Sequence, residues 1–172
     1  DILSCGGTTN YCYYNLGEYD RAIEQYKTVV NTYPNSELVD DAMTGLQQSV
    51  MLKGGSEDDL RQLDDLVDQV GDENKAAELL QSKAEFSANM QNFDKAISQY
   101  NQILRNYSNS KAARNAYFYI GTSYESMGEE NTALEAYQKQ IDQFPQAEMT
   151  PDALYKSGEI LMQMDAYPAA IQ

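Results

Sequence analysis

Histidine and tryptophan are absent from all 172 residues, and only two cysteines and four prolines occur. Without an imidazole, no mechanism that needs a histidine base or a histidine metal ligand can operate within this chain. Most hydrolase chemistry is excluded with it. Cys5 and Cys12 have no histidine to activate them and no second cysteine at zinc-finger spacing, which argues against a thiol nucleophile and against a zinc site. On one helix their seven-residue separation would be a rise of about 10.5 Å, beyond the roughly 7 Å that a disulfide spans between Cα atoms. Gly6-Gly7 and Gly54-Gly55 are not followed by the lysine and hydroxyl residue of a phosphate loop. No cofactor is implied, and the chain reads as a non-enzyme.

Long apolar runs are missing too, and nothing approaches the ~20 residues of a membrane-spanning helix. Basic residues are scarce, 12 against 27 acids, for a formal charge of −15. That balance opposes binding to nucleic-acid backbones and to most anionic membranes. It suits a basic or amphipathic protein partner, and it equally suits a surface kept soluble by like charge. What is plentiful is tyrosine, 14 residues against four phenylalanines, so interior positions are often amphipathic. A chain of this length forms one domain or a small repeat array and buries roughly 70% of its unfolded surface.

Self-similarity organises the rest. Gly17-Glu18-Tyr19-Asp20-Arg21-Ala22-Ile23-Glu24-Gln25-Tyr26 matches Gln91-Asn92-Phe93-Asp94-Lys95-Ala96-Ile97-Ser98-Gln99-Tyr100, 74 residues on. Gly128 to Tyr137 follows 37 residues later, and Asp165 to Ile171 another 37 later with Tyr167, Ala170 and Ile171 in register. The period predicts repeats 17–53, 54–90, 91–127 and 128–164, flanked by partial repeats 1–16 and 165–172, in one array over 1–172 that belongs to a longer protein. Repeat 54–90 is degenerate, with Asp59 where the others carry a small alanine and Leu63 where they carry tyrosine.

Each repeat reads as two helices. Ala116, Tyr117, Ile120, Gly121 and Tyr124 recur at three- and four-residue steps up to Met127-Gly128, and Ala133, Leu134, Tyr137, Ile141 and Phe144 do so up to Pro145. Ser36, Ser110 and Thr150 are predicted N-caps, with Pro151 just inside the third helix start, and Pro34 and Pro145 close the helices before them. Gly121, Gly158 and Ala84, with Ala22, Ala96, Ala133 and Ala170, are the small residues expected to let paired helices approach closely. A helical bundle would not require so constant a period.

Tyr117-x2-Ile120-Gly121-x2-Tyr124-x3-Gly128-x4-Ala133-x3-Tyr137-x7-Pro145 resembles the tetratricopeptide repeat signature, and Asn15-Leu16-Gly17 to Pro34 and Leu154-x3-Gly158-x2-Leu161 to Ala170 match in the same phase. The resemblance implies an all-α fold, a right-handed superhelical α-α solenoid of helical hairpins, because stacked repeats bury faces that none could bury alone. The repeat length and the Tyr33-Pro34-x-Ser36, Tyr107-x2-Ser110 and Phe144-Pro145 junctions are similar to bacterial cell-envelope members, such as the cell-division coordinator of the Tol-Pal system and the lipoprotein of outer-membrane barrel assembly. On that likeness the expected location is the bacterial periplasm or an association with the outer membrane. Ile2-Leu3-Ser4-Cys5-Gly6 faintly resembles a lipoprotein cleavage box without the apolar stretch that should precede it.

The resemblance also implies that first helices line a concave, partner-binding face. Stepping along them gives Gln48 and Met51, then Gln81, Glu85 and Ala88, then Asn115, Phe118, Thr122 and Glu125, then Asp152, Tyr155, Glu159 and Met162. Phe118, Tyr155 and Met162 are the candidate anchors for a basic, amphipathic or extended peptide. In this stripe stand Gln48, Gln81, Phe118 and Tyr155, so the lysine-and-asparagine pattern of the carboxylate clamp found in some family members is absent. The expected function is a scaffold or adaptor that binds a protein segment; the competing readings are a glycan-handling outer-membrane accessory protein and a regulatory or oligomerisation module of a larger enzyme. Glu57, Asp58, Asp59, Asp64, Asp65 and Asp68 form the densest carboxylate cluster, read as a solvated face opposite Leu60, Leu63, Val67 and Val70 rather than as a cation site.

Overall fold

The computed structural model describes residues 13–33, 36, 38–54, 67 and 72–166. Among them seven helices follow in order: α1 (Tyr19–Thr32), α2 (Val39–Lys53), α3 (Glu73–Asn89), α4 (Phe93–Asn106), α5 (Lys111–Ser126), α6 (Glu130–Gln143) and α7 (Thr150–Ala166). The described residues contain no strand. The chain divides into two compact units, residues 1–86 and 87–172, with the division inside α3. Cys5, Cys12, Asp59, the acidic cluster and the closing partial repeat from Tyr167 lie outside the described residues.

The 37-residue period reappears as backbone geometry. Residues with positive φ fall at Gly17 (75°), Gly54 (93°), Gln91 (59°) and Gly128 (78°). At three of these turns the next N–H bonds back across the helix end: Glu18 to the Tyr13 carbonyl at 3.0 Å, Asn92 to Ser87 at 2.9 Å and Glu129 to Tyr124 at 2.9 Å. This six-to-one closure satisfies carbonyls that the ending helix leaves without a partner. The following helices α1, α4 and α6 then start in the same register, at Tyr19, Phe93 and Glu130.

In the first unit, α1 buries Ala22, Ile23, Tyr26 and Val30, an i, i+1, i+4, i+8 face. That face packs on α2, whose Val39, Ala42, Met43, Leu46 and Val50 are buried. The Tyr26 ring lies over Gly45, where a Cβ would collide with ring carbons. Each such large side chain, once buried, stabilises the fold by about 2–3 kcal/mol. Asp72 opens α3 by accepting the N–H groups of Asn74 and Lys75 at 2.9 and 3.1 Å, an N-cap that apolar periodicity does not reveal.

In the second unit α5 is the central helix, packed against α4, α6 and α7. Its core holds Ala133, Tyr137, Ala153 and Ile160, with Phe118, Tyr124, Leu134, Ile141 and Met164 against them. Tyr137 covers Gly121 so closely that an added Cβ would meet its ring. Gly158 differs from the expected close approach, since nothing lies within 4 Å of a Cβ built there.

Of the three expected N-caps, Ser110 acts as one, its Oγ accepting the Ala113 N–H at 3.1 Å. Ser36 Oγ instead accepts from Leu38 N–H at 3.2 Å, one residue before α2 begins. Thr150 turns its hydroxyl back to the Phe144 carbonyl at 2.6 Å. Thr150 is itself the first residue of α7, and the Phe144 carbonyl it meets also accepts the Ala147 N–H at 3.0 Å.

Candidate functional site

The stripe expected on the first helices divides into residues committed to the interior and residues left open. Asn115 belongs to the first group. It is buried, and its Oδ1 faces the Met149 N–H at 3.4 Å. Periodicity placed it outward, but α5 is contacted on several sides, and the segment entering α7 closes over it. Phe118 is partly buried for the same reason, its ring 5.4 Å from that of Tyr119 and 5.8 Å from that of Tyr137. Thr122 donates its hydroxyl to the Tyr119 carbonyl of its own helix at 2.9 Å and stays partly exposed.

Glu125 ties three helices together. Its Oε2 accepts the Tyr137 hydroxyl of α6 at 2.7 Å, and its Oε1 accepts Lys156 Nζ of α7 at 2.9 Å. Burial first, then the hydrogen bond to Glu125 and its charge, push the Tyr137 phenol far above the usual tyrosine range. The bond to Glu125 is the main cause that raises the Lys156 ammonium above its ordinary value. Lys156 and Gln140 are the functional-looking residues that stripe counting missed. Lys156 stands one period after Tyr119, which itself stacks on Tyr100 with ring centroids 5.4 Å apart. The register offered no signal for it, since the same position in the other repeats holds Gly45, Ser82 and Tyr119.

On α7 the stripe remains open. Tyr155 is 67% exposed and Met162 75%, with Asp152 also exposed and Glu159 partly buried. A depression of about 580 Å³ lies here, lined by Leu154, Tyr155, Gly158, Glu159, Met162 and Gln163. Tyr155 is hydrogen-bonded to Glu159, and this bond, followed by the carboxylate's charge, raises its phenol above the ordinary value. In the other unit Gln48 and Met51 are exposed, while Gln81 and Glu85 are partly buried and hydrogen-bonded to each other at 2.8 Å. Ala88, on the second-unit end of α3, is partly buried.

Among the described residues no cluster of three or more cysteines and carboxylates is arranged to hold a metal ion. No described helix is long and apolar enough to cross a membrane.

The tetratricopeptide repeat family model matches residues 11–36, 60–110 and 115–147, more than half of the sequence. This chain belongs to the tetratricopeptide repeat family. Two crystal structures of MamA are similar to it. One has 22% identity and a TM-score of 0.53 over 95% of this chain and 98% of that one; the other has 23% identity and 0.52 over 91% and 84%. A crystal structure of nearly identical kinesin light chain TPR-like repeats from Podospora anserina reaches 0.51 at 15% identity, covering 95% and 92%. At these identities the likeness establishes the fold, an all-α solenoid of tetratricopeptide repeats. No curated protein matches the sequence. Tetratricopeptide repeats typically serve as non-catalytic scaffolds for contacts between proteins, and this chain is a repeat protein of that interaction class.

Proposed function

We propose that this chain is a non-catalytic adaptor that holds a protein or peptide segment along the outward stripe of its first helices, the face that forms the groove in tetratricopeptide repeats. The observation that carries this reading is the state of α7, where Tyr155 and Met162 stay 67% and 75% exposed although both are large and apolar in part. Side chains of this kind concentrate binding energy at protein contacts. Within the second unit Thr122 and Asp152 belong to the same stripe, whereas Asn115 and Phe118 serve the interior; in the first unit Gln48 and Met51 are exposed on α2. The positive-φ turns at 17, 54, 91 and 128 support four repeats of 37 residues, 17–53 to 128–164, within the array. The junction Phe144-Pro145 and the repeat length favour a place among the cell-envelope members of the family, in the periplasm or at the outer membrane.

The test is selection of peptides from a random display library on the immobilised chain, followed by chemical-shift mapping of each selected peptide. Shifts on Thr122, Tyr155 and Met162 of the second unit, or on Met51 of the first, support the reading. Selection of no peptide, or shifts confined to the opposite faces of these helices, refutes it.

A further inference from the structure

Departures from the 37-residue pattern converge on one buried phenol of the second unit. Tyr137 stands in the register of Tyr26 and Tyr100, but the carboxylate and the rings around it belong to its own copy. Between residues 17 and 164, steps of 37 from Glu125 lead to Met51 and Ala88 before it and Met162 after it. The same steps from Phe118 lead to Thr44, Gln81 and Tyr155, and from Tyr119 to Gly45, Ser82 and Lys156. The repeat itself therefore requires none of the three.

Together they make a connected arrangement. The Tyr137 hydroxyl donates to Glu125 Oε2 at 2.7 Å, the short distance of a bond to a charged acceptor. Lys156 Nζ holds Oε1 at 2.9 Å, which leaves Oε2 to the phenol. The Tyr137 ring lies 5.8 Å from that of Phe118, and Phe118 lies 5.4 Å from Tyr119. Tyr119 is stacked on Tyr100 at 5.4 Å with the planes 12° apart. Tyr137 is fully buried and Tyr119 is partly exposed, so the rings lead from the surface to the sealed phenol.

We propose that Tyr137 is a redox-active tyrosine, oxidised by one electron by a small diffusing oxidant, a high-valent metal complex or an organic peroxyl radical, that meets the protein at Tyr119. The electron leaves the Tyr137 ring and reaches the oxidant by way of Phe118 and Tyr119. The phenolic O–H bond breaks, its proton forms a new O–H bond at Glu125 Oε2, and a neutral phenoxyl radical remains. The oxidant is reduced by that electron, and a peroxyl radical also takes a proton from water to become a hydroperoxide. Glu125 makes the step feasible, because a phenol that lost the electron alone would leave a positive charge sealed from water. Burial then keeps the radical from coupling with a tyrosine of another molecule. This inference stands apart from the adaptor reading.

The experiment uses the whole chain and tris(bipyridine)ruthenium(III), generated by a light flash with a cobalt(III) ammine as the electron acceptor. Transient absorption and electron paramagnetic resonance follow the tyrosyl radical. The parent chain should show a component that outlives the radicals of exposed tyrosines and forms more slowly in heavy water. Pulsed resonance on that component should detect one exchangeable proton, the one shared with Glu125. Tyr137→Phe should abolish the component. Glu125→Gln, which keeps a hydrogen-bond acceptor but takes up no proton, should lose both the component and the isotope effect with the helical signal unchanged. Phe118→Leu should slow its appearance. A parent chain without the long-lived component, or with one that has no exchangeable proton, overturns the inference without reference to any variant. Survival of the component in Tyr137→Phe or in Glu125→Gln overturns it equally.

Discussion

The Tyr137 hydroxyl donates to Glu125 Oε2 at 2.7 Å, and the same carboxylate takes Lys156 Nζ on its other oxygen at 2.9 Å. One side chain of α5 therefore holds both of the helices that follow it. The tyrosine side is the stronger, because Tyr137 is fully buried and its hydroxyl has no water to turn to. The lysine side is weaker, since Lys156 and Glu125 side chains are 35% and 32% exposed and solvent screens their attraction. Glu125→Ala should cost about 2–3 kcal/mol in denaturant unfolding, most of it from the stranded hydroxyl. Tyr137→Phe combined with Glu125→Ala should cost less than the two single changes added together. Additive costs would show that the two residues do not act as a pair.

Alkaline pH addresses the same contact. Tyr137 and Lys156 both have folded pKa values raised above their ordinary ones. Their contribution is fully present below the unfolded values, about 10 for tyrosine and 10.4 for lysine, and is lost as pH rises through the folded values. Above about pH 10, stability should fall by up to ~1.4 kcal/mol per pH unit through Tyr137, and by less through Lys156, which solvent screens. Tyr137→Phe should flatten the profile by about one group's share. Identical slopes for the parent chain and the variant, measured by urea unfolding from pH 8 to 11, would contradict the assignment.

Two glycines of one register predict opposite responses. Gly121 lies under the ring of buried Tyr137, so Gly121→Ala must displace that ring and should destabilise by about 1–3 kcal/mol. Gly158 sits mid-helix with open space above it, so Gly158→Ala should stabilise by about 0.5–1 kcal/mol through helix propensity alone. Thermal unfolding of both variants checks the pair. Equal signs would mean that α7 is covered where the geometry leaves it open.

Much of this fold is legible in the sequence because three stretches 37 or 74 residues apart carry the same instructions. A left-handed turn residue at 17, 91 and 128 is followed by a buried alanine at 22, 96 and 133 and a buried tyrosine at 26, 100 and 137. The stripe proposed for binding was legible as an exposed face only in part. Counting residues along one helix leaves Tyr155 and Met162 exposed on α7, which packs on α6 and more lightly on α5. It fails on α5, where Asn115 and Phe118 meet α6 and the Met149 segment as well. Lys156 escaped notice because its role depends on Glu125, 31 residues earlier.

Gln91 marks where a repeat departs from its own pattern. It adopts φ 59° at the turn where the neighbouring copies place Gly54 and Gly128. A side chain in this region costs about 1–2 kcal/mol, while glycine loses about 0.4–1 kcal/mol through the added freedom of the unfolded chain. Relief of strain is the larger effect. Gln91→Gly should raise stability by about 0.5–1 kcal/mol, measured as a higher urea midpoint with unchanged slope.

Gln140 offers the sharpest test of how the second unit is locked. It is fully buried on α6, yet its carboxamide reaches one rung of α5: Nε2 donates to the Arg114 carbonyl at 2.6 Å, and Oε1 accepts the Phe118 N–H at 3.2 Å. Those two groups are four residues apart, the partners of a single helical hydrogen bond. Nε2 also approaches Thr150 Oγ1 at 3.3 Å, and that hydroxyl holds the Phe144 carbonyl. An amide alone supplies a donor and an acceptor at this spacing. Gln140→Leu should therefore cost about 1–3 kcal/mol despite being more apolar, because it removes both buried bonds from α6 and leaves the Arg114 carbonyl and the Phe118 N–H with each other alone. Gln140→Glu should cost more, since a carboxylate would face the Arg114 carbonyl with no proton to give. Native-state hydrogen exchange at the Phe118 amide supplies the local readout, and it should accelerate in both variants. Unchanged protection of that amide would mean that the helix rung, and not Gln140, sets its stability.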